Sequence, residues 1–262
     1  DYHKPDGSDP YYQIAYLYRY SSLRADLIFY IFNREPSLSE LITDDINTNG
    51  YATVCVLGTG PGTELIGLGK WAERNNIIGK LDFILSECIE EWFNCAIYAE
   101  KYAISSSCCY KPCIKNSISS SEPLSITEFS EKGLDRCKLF ILSYIVSDMI
   151  HSNTFIDDFQ AFLDSLVTCS RAESTFLFID RNENQVKRKI KQIAERSGIN
   201  LAEFSYPSRD RDPYIDNKNF EVDRSENRHI LGKLYQKLTT SFTPPYYPEG
   251  KGNVLWNAGL KR

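Results

Sequence analysis

YATVCVLGTGPGTE, residues 51–64, decides how this chain is read. Thr53, Val54, Cys55, Val56 and Leu57 form a short apolar run with β-branched members, the pattern of a strand buried on both faces. The run stops at Gly58. Gly58, Gly60 and Gly62 permit positive φ and close approach of the backbone to a ligand. From Thr63 a helical pattern begins, in which Leu65, Ile66, Leu68 and Trp71 share a face. Strand, glycine turn, helix is the expected order. Such a turn aims backbone N–H groups and a helix N-terminus at one point, which suits a nucleotide-like ligand.

Spacing separates the ligand classes that use such turns. A dinucleotide fingerprint requires G-x-G-x-x-G, and Thr63 stands where its third glycine belongs, which counts against a nicotinamide-dependent oxidoreductase. A phosphate-binding P-loop ends in Gly-Lys-Ser/Thr, and none follows. What remains, G-x-G-x-G after a strand, resembles the first motif of class I S-adenosylmethionine (SAM) dependent methyltransferases. The resemblance implies an α/β fold, a mostly parallel seven-stranded doubly wound sheet, and SAM as cofactor, cradled by Gly58, Thr59, Gly60 and Gly62. The family usually carries an acid two residues before the first glycine, near the methionine end of the cofactor; here that position is Val56.

The next apolar run, LDFIL at 81–85, ends in Ser86-Glu87 before a helical stretch. Glu87 stands about 25 residues beyond Gly62, where an acid at the end of a second strand accepts hydrogen bonds from ribose hydroxyls. The plainer alternative is a glutamate stabilised at a helix N-terminus by the dipole. A third strand is expected near Tyr110. In the resembled family a polar residue after that strand meets the adenine amino group; no acid occupies the place, and Asn116 is the candidate.

LFIL at 139–142 reads as a fourth, fully buried strand, followed by Ser143-Tyr144-Ile145-Val146-Ser147-Asp148 at its carboxyl end, where open α/β sheets place ligand-facing residues. This corner resembles the S-Y-x-x-S-D/E form of a branch of methyltransferase-like proteins that includes mitochondrial ribosome-associated members. The likeness implies that Ser143 and Tyr144 face the reactive methyl group, with Asp148 the acid of the corner. On the alternative reading Tyr144 is packing, and Ser147 and Asp148 cap the next helix.

Further elements are expected as an amphipathic helix over 155–167, a fifth strand over 175–179, a helix over 183–196 ended by Gly198, a sixth strand over 200–204 and an alternating seventh over 253–261. Residues 205–252 read as an insertion, with a lid over the substrate as its expected role. Residues 1–50 form an expected N-terminal lead-in and helical segment packed on the core, and residues 51–262 the methyltransferase-like domain. Recurring apolar positions over 11–32, and again over 38–46, predict helices in that lead-in. Tyrosines surround the first of them, and Arg19 or Arg24 is a candidate for the substrate side.

At 262 residues the chain is long enough for one large α/β domain, and no apolar run approaches the roughly 20 residues of a membrane span. A net charge of −5 argues against a protein that coats nucleic acid, while leaving room for a local basic groove. The basic residues Lys187, Arg188, Lys189 and Lys191 mark either a solvated helix face or such a contact. Tyr246 and Tyr247 join Arg19 as candidate substrate residues, with RNA slightly ahead of protein as the macromolecular substrate. The competing function is a methyltransferase-like module that serves as a binding scaffold within a larger protein, as a chain starting at Asp1 suggests. Eight cysteines without ligand spacing, and without histidines nearby, point to reduced thiols, no metal and an intracellular location, cytoplasmic or nuclear.

Overall fold

The computed structural model describes residues 10–77, 80–87, 91–92, 114–116, 124–152, 156–205 and 254–261. Two helices, α1 (Pro10–Arg34) and α2 (Pro36–Asn49), precede the first strand, β1 (Tyr51–Leu57). Pro36 opens α2, since its fixed φ suits a first turn, and Gly50 at φ +77 closes it with an N–H to the Ile46 carbonyl at 2.7 Å. Then follow α3 (Thr63–Arg74), β2 (Lys80–Ser86), β3 (Ile114–Asn116), α4 (Ile126–Glu131) and β4 (Leu139–Ser143). The remaining elements are α5 (Ile145–Ser152), α6 (Ile156–Cys169), β5 (Thr175–Arg181), α7 (Asn184–Arg196), β6 (Ile199–Leu201) and β7 (Val254–Lys261).

The seven strands form one sheet in the order β3-β2-β1-β4-β5-β7-β6. All neighbours are parallel except β7, which runs antiparallel to both β5 and β6. From β1 the chain builds outward through β2 and β3, then returns to place β4 on the other side of β1. The switch point of the sheet therefore lies between β1 and β4, and the crevice outside their carboxyl ends is where such sheets bind ligands.

Period-two alternation splits the strands between two cores. Val54 and Val56 of β1, Leu81, Phe83 and Leu85 of β2, Ile141 of β4 and Leu177 of β5 pack under α1, α2 and α3. Cys55, Leu57, Ile84, Phe140, Leu142, Phe176 and Phe178 point the other way, against Phe159, Phe162 and Leu163 of α6 and Ile190 of α7. Phe140 and Phe176, register partners on β4 and β5, stack with centroids 4.9 Å apart. At about 1.5–3 kcal/mol for each fully buried large side chain, these two layers dominate stability.

Several expected boundaries move. The sixth strand occupies Ile199–Leu201 rather than 200–204, because its pairing with β7 ends at Leu201. The helix expected over 155–167 is Ile156–Cys169. A third strand is present at Ile114–Asn116, whereas its expected place near Tyr110, like the insertion from residue 206 to 252 with its lid, lies outside the described residues. Among the described residues no helix is long and apolar enough to cross a membrane. The described cysteines Cys55, Cys137 and Cys169 are free thiols; Cys88, Cys95, Cys108, Cys109 and Cys113 lie outside the described residues.

Two contacts fix the geometry around the crevice. The first is the crossing of α1 on α3, where a Cβ at Gly67 would lie 2.4 Å from the Ala25 carbonyl oxygen and 2.6 Å from the Ile28 Cβ. The second is Asp180 at the end of β5. Buried there, it accepts hydrogen bonds from the backbone N–H groups of Val146 (3.1 Å), Ser147 (3.2 Å) and Arg181 (2.8 Å), and so caps α5. This corrects the expectation that Ser147 and Asp148 supply the cap: the Ser147 hydroxyl donates back to the Tyr144 carbonyl, and Asp148 is exposed.

Gly67→Ala should destabilise the chain by about 1–3 kcal/mol through overpacking of the α1–α3 crossing, read as a lower urea midpoint; an unchanged midpoint contradicts the close approach. Asp180→Ala should cost about 1–3 kcal/mol at neutral pH by leaving buried N–H groups without an acceptor. Burial raises the Asp180 carboxyl above its ordinary 3.8, against the lowering effect of the Ser147 and Arg181 hydrogen bonds. The folded state thus holds this proton longer than the unfolded state does. The proton-linked part of the stability that Asp180 confers is complete below pH 3.8 and is lost as pH rises through the raised value, leaving at neutral pH the hydrogen bonds that the carboxylate accepts. Denaturation across that window should show a gentler fall in stability for Asp180→Ala than for the parent chain.

Candidate functional site

The glycine turn links β1 to α3 with three residues in left-handed conformation: Gly58 (φ +62), Gly60 (φ +46) and Gly62 (φ +78). A Cβ at Gly58 would meet Ile145 Cγ1 at 3.1 Å, so glycine here lets α5 approach the turn. At Gly60 the reason differs. A Cβ there would find no atom within 4 Å, so the space beyond the turn is open and the backbone itself faces it.

The turn is fastened sideways to the end of β2. Thr59 N–H donates to the Ser86 carbonyl at 3.1 Å, Gly60 N–H donates to Glu87 Oε2 at 2.8 Å, and Gly62 N–H donates to the Thr59 carbonyl at 2.9 Å. Glu87 is buried, and its carboxylate touches the turn directly. The Thr59 hydroxyl is buried with no hydrogen-bond partner among the described residues, an orphaned donor inside the turn. Gly62 caps α3 without any side-chain bond. An open backbone cradle with a carboxylate at its edge suits the adenosyl part of a cofactor.

On the opposite side of β1, β4 ends at Ser143 and the chain turns sharply at Tyr144, whose φ of +60 is rare for a non-glycine residue and costs of order 1–3 kcal/mol. Its N–H donates to the Ile179 carbonyl at 2.7 Å, while its carbonyl accepts from Asp148 N–H and the Ser147 hydroxyl, each at 3.1 Å. These bonds hold the corner. Over the Tyr144 ring lies Arg24 of α1, its guanidinium carbon 3.8 Å from the ring centroid. Arg24 also stacks 4.9 Å from the Tyr16 centroid and donates to the Tyr16 hydroxyl. Tyr16 in turn meets Trp92 edge-on, centroids 5.3 Å apart.

Glu64 completes the group from the first turn of α3. It is buried, and Thr63 Oγ1 donates to its Oε2 at 3.1 Å. Burial raises its carboxyl above the ordinary 4.5; its own backbone N–H, Ser143, Arg24 and Thr63 pull the other way. Burial also opposes the Arg24 charge, but Tyr16, Tyr144, Glu64 and Asp148 more than offset it. The guanidinium therefore stays charged.

Of the candidate cofactor residues, Gly58, Thr59, Gly60, Gly62 and Glu87 stand together at the carboxyl ends of β1 and β2. Asn116 ends β3, next to Ser86 in register; its side chain is outside the described set. Ser143 and Tyr144 flank the switch point, whereas Asp148 is exposed on α5 with Arg181 at 4.0 Å. Arg19 belongs to α1 with its side chain outside the described set, and Tyr246 and Tyr247 lie outside the described residues altogether. Sequence reasoning missed Glu64 and the capping role of Asp180. Glu64 left a signal, a lone carboxylate in helical register with Leu68 and Trp71 on the buried face. Among the described residues, no group of three or more His, Cys, Asp or Glu is placed to hold a metal.

No family model matches the chain, and no curated protein sequence matches it. Among solved structures, a SAM-dependent methyltransferase from Archaeoglobus fulgidus aligns over 97% of this chain and 100% of its own, at 11% identity and a TM-score of 0.47. A precorrin-6y C5,15-methyltransferase from Geobacter metallireducens covers 84% of this chain and 86% of its own, at 8% identity and a TM-score of 0.40. An N-methyltransferase from Bradyrhizobium japonicum, solved with S-adenosylhomocysteine, covers 87% and 86%, at 7% identity and a TM-score of 0.40. Likenesses this distant add nothing to what the strand order and the glycine turn carry by themselves. With β7 inserted antiparallel between β5 and β6, and the glycine turn at the end of the central β1, the chain has a class I methyltransferase-like fold.

Proposed function

We propose that the chain binds SAM across the glycine turn and acts as a SAM-dependent methyltransferase. The observation that carries the reading is the open space at Gly60, at the carboxyl end of the central β1 and bounded by the Glu87 carboxylate from the end of β2. SAM supplies an electrophilic methyl group on a positively charged sulfur. The chain supplies position. A carboxylate has about four acceptor sites, so Glu87 serves both Gly60 N–H and the ribose hydroxyls. Thr59 contributes the backbone of the cradle, and Asn116, which ends β3, is the residue proposed for the adenine side. Ser143 and Tyr144 border the transferred methyl group, where alignment of the nucleophile and exclusion of water lower the barrier.

RNA, slightly ahead of protein, is the substrate proposed for this site, with Arg19, Tyr246 and Tyr247 as its wall. A second reading, a methyltransferase-like scaffold without turnover, is favoured by the corner itself. Arg24 covers the Tyr144 ring, and Asp148 is exposed beside Arg181.

Calorimetry with S-adenosylhomocysteine tests the binding claim. Gly60→Val should abolish binding with the circular dichroism spectrum unchanged, because its branched side chain fills the open space. Glu87→Ala should weaken binding by roughly 1–3 kcal/mol, the cost of unpaired ribose hydroxyls and a looser turn. Unchanged affinity in both variants removes the claim.

A further inference from the structure

We propose that the outward face of α7, with Lys187, Arg188 and Lys191 along it and Phe204 beside it, is a docking surface for single-stranded RNA; the proposal rests on the reading of RNA as substrate and is independent of the cofactor. Charge complementarity is its first support. In a chain of net charge −5, the 13 residues of α7 hold Lys187, Arg188, Lys189, Lys191 and Arg196 against one acid, Glu195.

The stability of the helix does not account for this arrangement. Val186, Ile190, Ile193 and Ala194 are buried in the second core layer, which fixes the rotation of α7 and leaves Arg188 and Lys191 exposed. Lys187 sits in the first turn, where the helix dipole disfavours a cation, and it stands four residues from Lys191, a spacing at which like charges repel. A helix that uses charge to hold a solvated face sets acids four residues before bases; here Glu195 follows Lys191, the weaker order. Among the described residues no carboxylate pairs with Arg188, Lys189 or Lys191. Arg188 Nε donates to the Asn184 carbonyl at 3.4 Å, and Lys189 Nζ to Gln192 Oε1 at 3.3 Å. A polyanion neutralises such a row and gains from the release of its counterions.

Phe204 selects among polyanions. Its ring is half-buried against the core layer, and Lys191 Nζ lies 5.6 Å from the ring centroid. Cations that meet phosphates, next to an aromatic face on which a base stacks, are what an unpaired strand requires. An acidic protein would use the cations alone, and a duplex has no free base to offer the ring. The position of the helix fits the same occupant. β5 ends in the exposed Arg181 at the carboxyl edge of the sheet, α7 starts at Asn184, and α7 packs on α5, the helix that follows Tyr144. A strand lying along α7 toward its N-terminus therefore approaches the crevice, with Arg181 the next cation on its way.

Fluorescence anisotropy with a short single-stranded RNA over a series of salt concentrations tests the surface. It is run on the parent chain, on the triple variant Lys187→Gln, Arg188→Gln, Lys191→Gln, and on Phe204→Leu, which keeps apolar packing without the ring. The parent should bind, with affinity falling as salt rises. The triple variant should lose about tenfold or more in affinity and about two in the log–log salt slope, with its circular dichroism spectrum unchanged. Phe204→Leu should bind about fivefold or more weakly at an unchanged slope. Full binding by the triple variant would overturn the surface and leave the RNA reading standing. Failure of the parent to bind at low salt would overturn both. Equal affinity of the parent for polyglutamate or for a duplex of the same sequence, or undiminished binding by Phe204→Leu, would overturn the assignment to single-stranded RNA.

Discussion

Gly60 N–H on the Glu87 carboxylate at 2.8 Å and Thr59 N–H on the Ser86 carbonyl at 3.1 Å tie the glycine turn to the end of β2, and the site depends on these two bonds. Glycine-rich backbone loses more conformational entropy on ordering than any other, so a turn with three left-handed glycines needs anchors beyond its own ends. The sheet provides them. β1 is paired on both edges, with β2 and β4, and buried on both faces. Its carboxyl end is therefore rigid, and the turn inherits that rigidity while leaving the space beyond Gly60 open. Glu87 holds the turn with the same carboxylate that the proposed SAM reading offers to the ribose.

Much of this was legible because parallel strands buried on both faces appear as unbroken apolar runs. Residues 53–57, 81–85, 139–142 and 175–179 each fall within the strand they announce. Shorter edge elements are harder to place. β6 has three residues, too few for alternation to set its ends, and pairing with β7 decides them instead. The long-range partners left the weakest trace. Ser147 and Asp148 follow a strand and precede a helix, the local signature of a cap, yet the acceptor for Val146 and Ser147 is Asp180, from the neighbouring strand β5. Local sequence displays neighbours three or four residues apart and conceals those that a sheet brings together. Glu64 shows the same limit: its position on a buried helical face was readable, but the depth of its burial was not.

The costs of the fold gather at one end of the sheet. Tyr144 holds a left-handed backbone, Glu64 is a carboxylate shifted upward by burial, and Asp180 is another. Two broad apolar layers offset these costs, and the conflict between local preference and global fold stays confined to the crevice. α1 joins the two regimes. Its Ile28 and Ile31 belong to the core, Gly67 lets it settle onto α3, and Arg24, one turn before Ile28, reaches the Tyr144 corner. A shift of this helix would therefore move both stability and the charged wall of the cleft.

A crystal structure of the chain with S-adenosylhomocysteine tests the central claim most directly. The account predicts the adenosyl group lying across Gly58–Gly62 with the ribose hydroxyls within hydrogen-bond distance of Glu87. A ligand seated away from the glycine turn, with the ribose out of reach of Glu87, would contradict it.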